Sequence, residues 1–201
     1  MSSGIDIKFV QETFERLTDQ ELLWRATREA EGLTPEAEQI LKAELAKRGL
    51  NANIEKSIEA QKKTYTLAEL DTYCNIISSV HCPTCDSAAQ PLNATITGEV
   101  ISFVIMSTYN KRIVVGCPDC LDKANNNALA KSLALGWWGI PWGIVYTVQS
   151  IILNTQSKRK HRTQNPNEHL RAIALHHIGE LEAYKGNKEK LQQILIRHNK
   201  S

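Results

Sequence analysis

The chain of 201 residues lacks most of what marks a specialised class of protein. With 10 Gly and 6 Pro it is neither collagenous nor low in complexity, and 5 Cys are too few for a disulfide-dense scaffold. Neither sign of charge dominates: 24 Lys+Arg against 22 Asp+Glu leave a formal net charge of +2, which excludes a polyelectrolyte tail. The sequence motifs of common catalysis are missing as well. There is no P-loop, GxSxG, HExxH, dinucleotide fingerprint or carboxylate pair at a motif spacing, so a protein that is not an enzyme and has no small-molecule substrate is expected. What is present, 42% apolar and 23% charged residues, is ordinary for a globular chain long enough to bury a core without crosslinks.

The even average hides a gradient. Residues 1–80 carry 10 basic and 14 acidic side chains, residues 81–157 carry 4 and 4, and residues 158–201 carry 10 and 4. An acidic front, a neutral middle and a basic end suit a chain oriented against a membrane surface or a nucleic acid.

Four of the cysteines form two pairs, Cys82-Pro-Thr-Cys85 and Cys117-Pro-Asp-Cys120, with 31 residues between the pairs, and Cys74 stands apart. Each CxxC turn offers two thiolates to one ion while the intervening segment folds back as a hairpin, the pattern of a tetrahedral zinc site. Four protein thiolates leave no open position for water, so the zinc expected at Cys82, Cys85, Cys117 and Cys120 is structural. Two disulfides or a dithiol redox centre are the competing readings. Residues 1–6 have neither a basic nor an apolar leader region, which weighs against a secreted disulfide scaffold. Thioredoxin-type chemistry wants a single CxxC opening a helix in a βαβ setting, whereas the surroundings here read as β-rich. The runs IISSV at 76–80, TITGEVISFVI at 95–105 and RIVV at 112–115 read as strands, with a hairpin turn at Tyr109-Asn110-Lys111.

Over residues 74–122 these features resemble the zinc-ribbon superfamily, two CPxC knuckles on short antiparallel strands. Many ribbons place Gly directly after the second Cys of a knuckle, where this chain has Asp86 and Leu121. The resemblance implies a fold and a metal and names no reaction. His81, beside Cys82, reads as a strand residue because four cysteines already complete the ligand set.

Toward the N-terminus, Thr18-Asp-Gln-Glu21 is a capping box opening a helix that carries Leu22, Leu23 and Ala26 and ends at Gly32. Thr34 and Pro35 open a second helix with Ile40, Leu41 and Leu45, stopping at Gly49. The features LTPEA at 33–37, Glu44-Leu45 and Arg48-Gly49-Leu50 resemble small helical hairpins appended to many bacterial proteins, which implies an interaction module. Residues 51–73 are polar and read as a linker or a solvent-facing helix.

Between Lys131 and Lys158 lie 26 residues without a charge. That is long enough for one membrane-crossing helix, yet Gly136, Gly139, Pro141 and Gly143 interrupt it beside Trp137, Trp138 and Trp142, and each half is too short to cross. Two helices, from 124 to 135 and from 144 to about 154, are expected around a Trp/Gly/Pro turn. Three placements stay open: an interfacial or re-entrant hairpin, a soluble core and a true span. Trp137, Trp138, Trp142 and Tyr146, followed by Lys158, Arg159, Lys160 and Arg162, are the candidate membrane or interface contacts. The GWWGIPWG run after the knuckles also resembles a group of uncharacterised bacterial proteins in which a CPxC pair precedes such a segment.

The C-terminal part reads as one helix from about 165 to Tyr184 and another through Leu191, Ile194 and Leu195. His176 and His177 are adjacent, so on a helix they diverge and do not share an ion. The whole is an α+β protein of five segments: a helical hairpin (1–50), a linker or exposed helix (51–73), a zinc ribbon (74–123), an apolar helix pair (124–157) and a basic segment with terminal helices (158–201). A zinc-ribbon scaffold at the cytoplasmic membrane surface is expected, peripheral or monotopic, with a membrane surface or a protein as partner. A nucleic-acid-binding ribbon and a thiol-redox protein are the alternatives, and a single-span membrane protein stays open.

Overall fold

Capping chemistry sets the first helices. Thr18 N–H donates to the Glu21 carboxylate at 2.8 Å, and Glu21 N–H returns a bond to the Thr18 hydroxyl, closing the box that the sequence announces. The computed structural model describes residues 7–50, 53–104, 106–163 and 165–200. In chain order the elements are α1 (Ile7–Arg16), α2 (Asp19–Arg28), α3 (Pro35–Lys47), α4 (Ile54–Lys62), α5 (Leu67–Ser78), β1 (Asn93–Phe103) and β2 (Met106–Gly116). Then follow α6 (Pro118–Leu135), α7 (Trp142–Lys160), α8 (Glu168–His176), α9 (Ile178–Tyr184) and α10 (Lys188–Lys200). Among the described residues, helices accompany a single two-stranded antiparallel sheet, the α+β class expected.

The chain divides into two compact units. The first takes the described residues up to Thr66 together with Leu175–Asn187. Its core is Phe14, Leu22, Ala26, Leu41, Leu45 and Ile58, and each fully buried Leu or Ile contributes about 1.5–3 kcal/mol of transfer free energy. Thr34 caps α3, Pro35 occupies its first turn, and Gly49 ends it at φ 70°, a left-handed position that costs glycine nothing. Arg48 reaches back to the end of α1, donating to the carbonyls of Phe14, Glu15 and Leu17 while Glu44 and Asp19 hold its guanidinium. The stretch read as a linker or a solvent-facing helix holds α4 and the start of α5: Ile54 and Ile58 of α4 are buried in the first unit, and α5 belongs to the second. Polar residues on the outer faces of both helices masked a narrow apolar stripe.

The second unit holds the described residues of 67–174 and 188–200. Its centre is the β1–β2 hairpin, in register from Asn93 opposite Gly116 to Phe103 opposite Met106. The strands run on past the expected turn. Tyr109 and Lys111 sit inside β2, opposite Val100 and Gly98, and the chain reverses beyond Phe103. The run at 76–80 is no strand: residues 76–78 end α5, with Ile77 buried.

A two-stranded sheet leaves both edges unpaired, and here side-chain amides occupy them. Asn199 of α10 accepts from Val115 N–H at 2.9 Å and donates to Val115 C=O at 2.8 Å. On the β1 side, Asn154 does the same for Gly98, Ser132 accepts from Val100 N–H at 3.0 Å, and Asn167 donates to Ala94 C=O. Gly98 is required by closeness, since a Cβ there would stand 2.8 Å from both Leu153 and the Tyr109 ring.

Helices α6 and α7 pair with the hairpin through these polar groups. Gly143, Thr147, Ser150, Asn154 and Ser157 form the buried stripe of α7, while Ile144, Val145, Val148 and Ile152 of the same helix are exposed. Ser150 bridges the Ser132 hydroxyl at 2.8 Å and the Gly98 carbonyl at 2.6 Å. The usual amphipathic arrangement is therefore reversed, with polar groups inside and apolar ones outside. The expected helix pair around a Trp/Gly/Pro turn is present, with α6 starting earlier and α7 ending later than the uncharged stretch suggested. Among the described residues no helix is long and apolar enough to cross a membrane.

Candidate metal centre

The hairpin register decides the site. Because Asn93 pairs with Gly116, the segments just before β1 and just after β2 lie side by side, and these carry the two CxxC pairs. The Sγ atoms of Cys82, Cys85, Cys117 and Cys120 all lie within 4.8 Å of one another. Cys85 Sγ and Cys117 Sγ are 3.7 Å apart.

The first pair sits on a tight turn. Asp86 N–H donates to Cys82 C=O at 2.9 Å and Cys82 N–H to Ser87 C=O at 2.9 Å. Asp86 takes φ 60°, the left-handed conformation for which many ribbons use glycine; Asp tolerates it better than most residues. Its carboxylate accepts from Gln192 at 2.7 Å and faces His81 at 3.5 Å, so His81 lies beside the turn and outside the thiol cluster. The second pair is built differently. Cys117 is the N-cap of α6, Pro118 fills the first helical position, and Cys120 lies one turn in. Leu121 continues that helix and needs no left-handed backbone. A CxxC at a helix start is the setting that the β-rich reading of the surroundings had excluded. The four cysteines thus cluster in a way compatible with a zinc-ribbon-like site, while α5 takes residues 76–78 where a strand was expected and α6 starts at Pro118, ahead of the expected residue 124.

The sulfur environment suits a metal ion. Burial opposes ionisation of Cys82, yet backbone N–H groups of Cys117, at 3.4 Å, and of Thr84 and Cys85 outweigh it and bring the thiol down to about 7. N–H groups aimed at a sulfur are what a bound thiolate requires. Burial pushes the Cys117 and Cys120 thiols up, and for Cys120 the neighbouring thiols add to the effect. Four such sulfurs so close, not all ionisable without a counter-charge, fit one cation coordinated by thiolates. Cys74 stands elsewhere, fully buried in α5, its thiol pushed up to about 12 by burial and then by Asp71.

The other sequence-selected residues take varied places. Trp137, Trp138 and Trp142 are exposed and Tyr146 is half-buried, its ring 5.9 Å from that of Trp142 and 5.8 Å from Tyr109. Of the basic cluster, Lys158 bonds to Asn126, Lys160 to Glu168 at 2.9 Å, and Arg162 to Asp122. His161, which the sequence offers only as one letter of the basic run, is fully buried between Thr95 at 3.2 Å and Asp122 at 3.0 Å. A histidine inside a run of five basic letters carries no signal of burial. In the first unit His176 and His177 meet edge-on at 4.7 Å, and His177 turns inward onto Glu180 at 2.6 Å, so the two rings do not converge on an ion.

No protein-family model, no curated protein and no solved structure matches this chain.

Proposed function

We propose that the four thiols hold one structural zinc ion and that the protein is a non-enzymatic scaffold whose apolar end associates with the cytoplasmic surface of a membrane. The clustering of Cys82, Cys85, Cys117 and Cys120 at the base of the hairpin carries this reading. When bound, zinc would staple the chain before β1 to the start of α6 and fix the hairpin on its helix pair. The exposed tryptophans and the outward apolar face of α7 support the membrane part.

The metal is tested by elemental analysis of the purified full chain. One zinc per chain is expected, lost in the Cys82→Ser, Cys117→Ser double variant; folded protein without zinc would refute the assignment. Cosedimentation with anionic liposomes tests the membrane part, and failure to sediment would sink it. The redox alternative draws on the CxxC at the start of α6, but burial pushes both thiols there up, and a thiol kept protonated is a poor attacking group; a cation at the cluster would supply the counter-charge that ionisation of these sulfurs needs. Nucleic-acid binding through residues 158–162 is weakened by the pairing of Lys158, Lys160 and Arg162 with groups of their own chain.

A further inference from the structure

The β1–β2 hairpin and the turn joining α6 to α7 end at the same place. Gly139 packs against Ser107 and Ser102 so closely that no side chain fits, which sets the tryptophan turn beside the hairpin tip. The resulting cap presents Phe103, Val104, Met106, Trp138, Ile140 and Trp142, all more than half exposed, with Val104 and Ile140 at 78% and 79%. No charge occurs in residues 100–110 or 132–157. The first charges above the tip are Glu99, ion-paired to Lys131 at 2.9 Å, and Lys111, which lies over the Tyr109 ring at 4.7 Å, followed by Arg112. Counted from Phe103 and Met106 at about 3.3 Å per strand residue, Glu99, Lys111 and Arg112 stand roughly 13, 17 and 20 Å back.

Resting on the membrane reading above, we propose that this cap is a tip-first anchor seated in the interfacial zone of one leaflet, with Lys111 and Arg112 meeting the lipid phosphates. Three observations select a lipid monolayer over a second copy of the chain. Three tryptophans crowd one end, and Trp favours the headgroup level. The turn at 136–141 is non-helical, and its backbone groups are satisfied where water reaches the interface but not at the bilayer centre. The charges nearest the cap are Lys111 and Arg112 beside the Glu99–Lys131 pair, a net positive belt that faces the lipid phosphates once the apolar tip has passed the headgroups. The cluster at residues 158–162 takes no part. Lys158 is 16 residues along α7 from Trp142, about 24 Å at 1.5 Å per residue, and three of its four cations are held by their own chain.

The full chain with Trp24→Phe, which leaves only the cap tryptophans, is mixed with vesicles of phosphatidylcholine and phosphatidylglycerol whose lipids carry bromine either high on the acyl chain or near its methyl end. Stronger quenching by the high bromine is expected, and stronger quenching by the low one would overturn interfacial seating. Phe103→Ser with Val104→Ser, at an exposed reversal where circular dichroism checks the fold, is expected to lower partition at least tenfold. Lys111→Gln with Arg112→Gln is expected to lower it about fivefold per charge on anionic vesicles, whereas Arg159→Gln leaves it unchanged. Partition that survives the tip variant, or that falls with Arg159→Gln alone, overturns the anchor while leaving membrane association standing. No partition by the parent protein overturns both, and self-association abolished by the tip variant without vesicle binding assigns the cap to a second copy.

Discussion

Replacing Asn154 with Leu tests the reversed polarity of α7. Asn154 is fully buried and serves both backbone groups of Gly98, accepting its N–H at 3.2 Å and donating to its C=O at 2.7 Å. Leu has the same branched shape but is larger and more apolar, so a helix facing its core in the ordinary way would gain from the change. Here the Gly98 N–H loses its side-chain partner, while the carbonyl keeps the Ser150 hydroxyl at 2.6 Å. One buried unsatisfied donor costs about 1–3 kcal/mol, and displacing Leu's branched end from Gly98 adds about 1 kcal/mol or more. A total of about 2–4 kcal/mol corresponds to a fall in Tm of roughly 5–15 °C for a chain of this size. Val148→Asn, on the exposed face, is the control and should shift Tm by less than about 2 °C. Chemical denaturation of both variants in detergent-free buffer measures the pair. Unchanged or raised stability in Asn154→Leu together with a loss above about 2 kcal/mol in Val148→Asn would show that α7 faces the other way.

Three further outcomes follow from named groups. Burial holds the pKa of His161 below the ordinary histidine value despite Asp122, so the unfolded chain takes up the proton more readily. The stability that this gives is complete above about pH 6.5 and is lost as pH falls through the folded value, so denaturation between pH 7 and pH 5 should show a shallower slope in His161→Asn than in the parent. Cys74, its thiol pushed up to about 12 and fully buried, should resist alkylation in the native protein and react only on unfolding; labelling read by peptide mass spectrometry decides, and native modification would contradict the burial. Asp86→Val should destabilise by about 1–2 kcal/mol through its left-handed backbone, whereas Asp86→Gly should cost less than about 0.5 kcal/mol, since relief at φ 60° offsets the lost Gln192 bond; equal effects of the two, by thermal melts, would remove the backbone explanation.

Local chemistry was legible where residues act on their immediate neighbours. The Thr18–Glu21 box, the Thr34-Pro35 start and the Gly49 stop all appear as the letters suggest, and CxxC spacing identified the thiol cluster. Errors arose where tertiary packing decides. Ile76 and Ile77 are β-branched, but they close α5 because Leu70, Cys74 and Ile77 lie on one helical face. Residues 109–111 look like a turn in isolation, yet cross-strand pairing carries β2 through them. The amides that cover the hairpin edges, Asn154, Asn167 and Asn199, come from distant positions, and nothing in their sequence context marks them. At 158–162 the letters show a basic cluster but not that Lys158, Lys160 and Arg162 bond to Asn126, Glu168 and Asp122.

X-ray absorption at the metal edge of the purified full chain tests the central claim most directly, because it reads ligand identity and distance together. A single metal ion surrounded by four sulfurs at about 2.3 Å is the predicted result. A first shell of nitrogen and oxygen, or folded protein with no bound metal and four thiols that alkylate without unfolding, would contradict it.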